Sequence, residues 1–226
     1  MTPAAAAALP AAALPAAALS AAALSDAPPG PGPGFTATAL DLDGLRLAPW
    51  GVDLSLEVHA AAVERLAADP ETARWNPVKL ASFAEWLDAR AAGWQDGDQA
   101  AFAVLDAGGA LLGTAGMHWS TRDDGQAELG YRLLPEARGR GAATRATAAL
   151  AAWAFAGAGA RRIEVIHAVA NPASCRVAER CGFLLEGTMR ASYRYGDGVH
   201  HDEHLHARLA GDPEPVLPVL PGGPAR

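Results

Sequence analysis

The chain lacks most of what would point to a disulfide scaffold, a membrane or a nucleic acid. It has two cysteines in 226 residues, Cys175 and Cys181. Six residues apart is about 600° on a helix, which sends them to different faces. A disulfide between them is therefore not expected, and as a pair they support no metal site. Two free, partly buried thiols in a reducing cytoplasm are expected. Aromatic residues are only 6%. Lysine is almost absent: 17 of the 18 basic residues are arginine, the other being Lys79. No stretch of about 18 residues is rich in Leu, Ile, Val or Phe, so no membrane span is expected. No Lys or Arg precedes Leu45, so the positive region of a secretory signal is missing. A net charge of −7 makes a poor nucleic-acid binder.

Proline is scarce where a packed domain would sit. Of 17 prolines, seven lie in 1–34 and five in 211–226, leaving Pro49, Pro70, Pro77, Pro135 and Pro172 between. Proline removes a backbone donor and breaks regular structure. The expected division is a disordered Ala/Pro-rich tail at 1–34, one domain at 35–210 and a disordered Pro-rich tail at 211–226. The first tail repeats AAALP twice and AAALS twice, a five-residue period that suits neither helix nor strand, and ends in PPGPGPG. Alanine supplies 56 residues, 15 of them in this tail, so the 50% hydrophobic content overstates how apolar the chain is.

What is present is an uneven charge. Residues 35–131 carry 15 Asp/Glu and 6 Lys/Arg, while 132–194 carry 10 Arg and 4 Glu. Local arginines on an acidic chain suggest a small polyanionic ligand, or else solvated helix and strand positions.

Periodicity and breakers predict strands at 45–48, 101–105, 111–119, 126–134, 162–169, 183–195 and 199–209. They predict helices at 53–68, 83–92, 142–156 and 174–180. Ser82 and Glu85 form a capping-box pair. The order implies a mixed α/β (α+β) protein, with a mostly antiparallel central sheet and flanking helices.

Two blocks carry the chemistry. The first is Leu133-Leu134-Pro135-Glu136-Ala137-Arg138-Gly139-Arg140-Gly141-Ala142-Ala143, where a strand turns through glycines into the long helix. A helix N-terminus offers unpaired N–H groups and partial positive charge. The near absence of side chains at Gly139, Gly141, Ala142 and Ala143 would let a phosphate approach, with Arg138 and Arg140 adding charge. A tight turn with close packing is the plainer reading. The spacing fits neither a P-loop nor a dinucleotide fingerprint. The second block is Asn171-Pro172-Ala173-Ser174, then Val177, Glu179-Arg180 and Cys181-Gly182-Phe183.

Together the blocks resemble the GNAT superfamily of acyl-CoA-dependent N-acyltransferases. The first is similar to its motif Gln/Arg-x-x-Gly-x-Gly/Ala, at Arg138, Gly141 and Ala143. The second is similar to the pattern Asn-x-x-Ser-x-x-Val-x-Glu-Lys/Arg-x-Gly-Phe of the RimJ/RimL-like branch. Glu128-Leu129-Gly130-Tyr131 resembles that branch's strand before the cofactor loop. The resemblance covers roughly residues 42–209.

It implies a sheet whose fourth and fifth strands, in the family's order, splay apart at a bulge in the fourth. The pantetheine arm of acetyl-CoA would lie in the gap, pairing with the backbone near Leu133 and Leu134. The pyrophosphate would rest on the N–H groups of Arg138–Ala143, and Asn171 would contact the pantetheine end. No metal is expected. Glu128 would be the general base, directly or through water, unless it is a surface carboxylate paired with an arginine. Ser174 would hydrogen-bond the leaving sulfur, serve as the N-cap of its helix, or both. Many relatives carry a tyrosine acid seven residues after this asparagine. That position is Ala178 here, which shifts the role to Ser174.

Tyr131 and Phe183 read as core. His118 and Trp119 read as sheet surface, or else as acceptor contacts. Alternation sends His200, Asp202 and His204 to one face of the last strand and His201 and Glu203 to the other, against a local metal site. The expected acceptor is a protein N-terminal amine or a small-molecule amine, the acidic first half favouring a cationic one. The expected protein is cytoplasmic, monomeric or homodimeric. A module that binds acyl-CoA without turnover is the competing reading.

Overall fold

The computed structural model describes residues 35–52, 57–79 and 82–217. The predicted tail at 1–34, residues 218–226 of the predicted tail at 211–226, and the predicted helix start at Asp53 and Leu54 lie outside these residues.

Eight strands form one sheet in the order β1-β2-β3-β4-β5-β6-β8-β7. They are β1 (Leu40–Leu42), β2 (Leu45–Pro49), β3 (Gln99–Asp106), β4 (Leu111–Thr121), β5 (Gln126–Leu133), β6 (Arg162–Ala168), β7 (Leu184–Arg194) and β8 (His200–Leu209). Every neighbouring pair is antiparallel except β5 and β6. The helices are α1 (Glu57–Ala68), α2 (Pro70–Trp75), α3 (Phe83–Asp96), α4 (Ala142–Ala156) and α5 (Pro172–Arg180). This is the mixed, mostly antiparallel architecture that the element order implies.

Helix α4 packs on β4 and β5 through alanine. Ala142, Ala146, Ala148, Ala151 and Ala154 are buried in one cluster with Phe102, Met117, Leu129 and Ile163. Small side chains let the helix axis approach the strands closely, and alanine costs no side-chain entropy. A second cluster, Trp50, Val63, Trp86 and Leu87 against Ala103 and Leu105, seats α1 and α3.

Two prolines add to the expected elements. The helix predicted at 53–68 does end at Ala68, and Pro70 then opens a further helix, α2, with Asp69 as the N-cap accepting from Thr72 N at 2.9 Å. Pro172 opens α5 in the same way, with Asn171 rather than Ser174 as the N-cap. Proline breaks a helix interior yet suits its first turn, where its missing N–H would have had no partner. Strand β1, paired with β2 across a turn holding Gly44 at φ +70°, was also not foreseen. Beyond Ala210 the chain stays on the domain as far as residue 217. Leu217 packs on the core, and Glu214 lies 3.1 Å from the buried Arg208.

One glycine controls how closely β4 and β5 approach. A Cβ on Gly113 would meet the Arg132 carbonyl oxygen and lie 2.8 Å from Leu133 Cα. Gly113→Ala is expected to lower stability by about 1–3 kcal/mol, an overpacking cost. Gly187→Ala, with open space around it, should cost much less. Thermal melts of the two variants would check this, and equal melting temperatures would refute it.

Candidate active site

The parallel pairing of β5 with β6 is short. It holds Gln126↔Arg162, Ala127↔Ile163 and Glu128↔Glu164, and then ends. Past Glu128 the strands part, and a cleft of about 870 Å³ runs through the opening. The splay was expected at a bulge in β5. Instead, β5 pairs with β4 in unbroken register from Ala127 to Leu133, and the irregularity falls at Trp119/Thr121 of β4. The opening therefore comes from β6 leaving β5, while β5 stays on β4.

Backbone bonding shows which edge of β5 is open. Leu134 N–H donates to Leu112 O at 2.8 Å, and Leu134 O accepts from Ala137 N at 2.9 Å. Both of its groups are spent, so the expected donor contact at Leu134 is corrected: it is buried and lies off the cleft. Antiparallel alternation turns the backbone of Leu129, Tyr131 and Leu133 toward the β6 side, where the Glu128↔Glu164 pairing still takes the Leu129 N–H, so the free amides begin at Tyr131. The carbonyls of Tyr131 and Leu133 are already in use. Tyr131 O accepts from Asn76 Nδ2 at 3.4 Å, and Leu133 O accepts from Arg138 Nε at 3.1 Å and Nη2 at 2.9 Å.

At one end of the cleft stands the N-terminus of α4. Gly141, at φ +77°, occupies the cap position and no side chain caps the helix. Gly139 is at φ +73° with open space where a Cβ would be. Gly139, Gly141, Ala142 and Ala143 all line the cleft. Arg140 is exposed and stands beside the cleft rather than in its lining.

Arg138 lines the cleft, but its side chain is committed elsewhere. Besides Leu133 O, its guanidinium donates to Asp69 and, at 3.3 Å, to Thr72 Oγ1. This bolts the start of α2 to the end of β5. Burial alone would raise the Asp69 pKa. The Arg138 guanidinium and the Thr72 donors outweigh it and hold the carboxyl below its usual range.

In the middle of the cleft, Ser174 Oγ lies 2.8 Å from Tyr131 OH, bridging α5 and β5 across the gap. Asn171 Oδ1 accepts from Ser174 N at 3.3 Å. Tyr131, expected as core, is thus a cleft residue. Burial drives its pKa well above the usual phenol range, so it remains a hydroxyl donor. Alternation gave no hint of this, because it sets Tyr131 with Leu129 and Leu133, on the face opposite Glu128 and Gly130.

On the opposite side, Glu128 and its cross-strand partner His118 face the cleft, with Glu128 Oε2 3.9 Å from His118 Nε2. Burial raises the Glu128 pKa, and Glu164 and Glu203 add to the rise, while His118 partly opposes it. Trp75 at the end of α2 and Asn76 and Lys79 just after it also line the cleft, together with Tyr193 and Tyr195.

Residues 51–184 match the family described as Acetyltransferase (GNAT) domain. The chain belongs to the GNAT acetyltransferase family. The GNAT chain is 37% identical over 94 residues to the Bacillus subtilis (strain 168) protein provisionally named ribosomal N-acetyltransferase YdaF, covering 42% of this chain and 51% of that one. It spans about half the length of the curated relatives it matches. Among solved structures, Mycobacterium smegmatis RimJ in complex with CoA-disulfide superposes with a TM-score of 0.62 at 22% identity, covering 74% of this chain and 82% of that one. Spermidine N-acetyltransferase from Vibrio cholerae, in complex with CoA and spermine, superposes at 0.63 and 22% identity, covering 74% and 96%. These likenesses agree with the GNAT fold.

Asp69→Asn keeps the helix cap and removes the charge facing Arg138. At neutral pH it should cost about 1–3 kcal/mol. The folded-state pKa of Asp69 is depressed, so this contribution is complete above the unfolded value of about 3.9 and is lost as pH falls through the folded one. Urea denaturation against pH should show the two proteins converging in acid. A gap that stays constant into strong acid would refute the charge argument.

Proposed function

We propose that this chain transfers an acetyl group from acetyl-CoA directly to an amine. The observation carrying the reading is the open edge of β5, which leads from the uncapped N-terminus of α4 to Glu128. Backbone N–H groups at that helix end suit a pyrophosphate, because they are orphaned donors with partial positive charge. The amides of Tyr131 and Leu133 suit an extended pantetheine arm, as an added strand would pair. Asn171 would meet the pantetheine end.

The chemistry follows from two protons. The amine must be neutral to attack and must shed a proton as the new amide forms. Glu128, half-buried and raised in pKa, is a carboxylate better matched to that task near neutrality than an ordinary one. Departing sulfur carries negative charge, which Ser174 can stabilise through its hydroxyl while Tyr131 supports it at 2.8 Å. Both groups keep their protons at neutral pH, so they serve as hydrogen-bond donors.

The acceptor is a protein N-terminal amine or a small-molecule amine. Glu128, Glu203 and Glu71 on the acceptor side favour one carrying further positive charge. The ribosomal N-acetyltransferase named above and the spermidine enzyme support both kinds. No helix among the described residues is long and apolar enough to cross a membrane, which agrees with a cytoplasmic setting.

Thiol release from acetyl-CoA against a panel of amines and N-terminal peptides tests the reading. Glu128→Gln should lower kcat by about 10²–10⁴-fold, and the acid limb of the wild-type pH profile, set by a raised carboxyl pKa, should vanish with it. Gly141→Glu should abolish CoA binding in calorimetry. Binding without turnover on any amine would favour the non-catalytic acyl-CoA module. Undiminished binding by Gly141→Glu would overturn the donor site.

A further inference from the structure

Three histidines and a cysteine meet beneath α5. His167 of β6 lies directly opposite His204 of β8, and Val165 lies opposite His206. Alternation puts His204 and His206 on the face that His167 shares. Cys175, one turn into α5, closes over them. One ligand atom from each of the four lies within 4.8 Å of the others. His206 Nε2 is 3.7 Å from Cys175 Sγ, and His204 Nδ1 is 3.9 Å from it.

Two observations point to an ion. Nδ1 of His167 lies 2.9 Å from Ala168 O, and Nδ1 of His206 lies 3.3 Å from Phe183 O. A carbonyl at Nδ1 holds the hydrogen there and leaves the Nε2 lone pair free, the outer bond that metal-binding imidazoles make. Second, His167 is only 5% exposed, and its Nε2 has no hydrogen-bond partner. A buried acceptor left unpaired is costly unless something binds it.

We propose that His167, Cys175, His204 and His206 hold one divalent transition-metal ion of the zinc class. Bonds of about 2.3 Å to sulfur and 2.0–2.1 Å to nitrogen in a tetrahedron separate S and N by about 3.6 Å. The sulfur–nitrogen distances already present need only small adjustment. Four protein ligands close the coordination sphere, so the ion is structural. Binding displaces the thiol proton, and the exposed Glu179, with Oε1 3.6 Å from Sγ, is placed to take it to solvent. The ion ties α5, which carries Ser174 into the cleft, to both β6 and β8.

Sequence reading predicted no metal. It weighed Cys175 against Cys181 and the 200–204 stretch alone, and neither comparison contains His167 or His206. The ligands come together only through the β6–β8 register and the seating of α5.

The test uses the full chain stripped with a chelator and titrated with Co²⁺. Tetrahedral d–d bands and a thiolate charge-transfer band should saturate at one equivalent, and Zn²⁺ should displace the Co²⁺. Cys175→Ser should lose the charge-transfer band and weaken Zn²⁺ binding by about 10-fold or more. His204→Gln, at a half-buried ligand, should weaken Zn²⁺ binding similarly. Cys181→Ser should keep both band and affinity. An octahedral spectrum without the thiolate band on the wild type, or unchanged binding by folded Cys175→Ser, would overturn the proposal. Either result leaves the acetyl-transfer reading untouched, because that reading uses none of these four side chains.

Discussion

The separation of β6 from β5 after Glu128↔Glu164 is the constraint on which the rest of the site depends. A sheet interior normally satisfies every backbone donor and acceptor across both edges of a strand. Here one strand keeps a full ladder on one side and loses it on the other for half its length. Side chains cover part of the deficit, with Asn76 and Arg138 donating to the carbonyls of Tyr131 and Leu133. The amide hydrogens of the same edge remain, and they face a cleft that ends on an uncapped helix. The fold thus keeps open a row of donors that suits a long, polar, anionic ligand.

Holding that opening requires anchors on both banks. On the β5 side, Gly113 lets β4 lie close, and the Arg138–Asp69 pair fixes the turn into α4. On the β6 side, α5 carries Ser174, whose hydroxyl reaches Tyr131 across the gap. The His167–Cys175–His204–His206 cluster sits at the base of this second bank. An ion there and the Tyr131–Ser174 hydrogen bond would act on the same helix from opposite sides.

Local patterns in the sequence carried the parts of the fold that depend on contiguous residues. The Gly-rich turn into an Ala-rich helix is a single run of chain, so its geometry and its chemistry were readable together. Glu128, singled out from the strand before that turn, does line the cleft. What stayed hidden depends on partners far apart in sequence. Arg138 looked like a free charge because Asp69, 69 residues away, could not be paired with it. Tyr131 looked like core because Ser174 lies 43 residues on. Leu134 looked available until its two backbone bonds were seen. Pro70 and Pro172 were ambiguous for a different reason, since the same residue ends one helix and begins another.

Residue-resolved hydrogen exchange, with and without acetyl-CoA, tests the central claim most directly. The account predicts that the donor slows exchange at the amides of Tyr131 and Leu133 and at Ala142 and Ala143, where the helix is uncapped. It predicts no change at Leu134, Gly130 and Arg132, whose amides face or already bond β4. Uniform protection along β5, or none at its odd-numbered positions, would contradict the claim that the parted edge is where the donor lies.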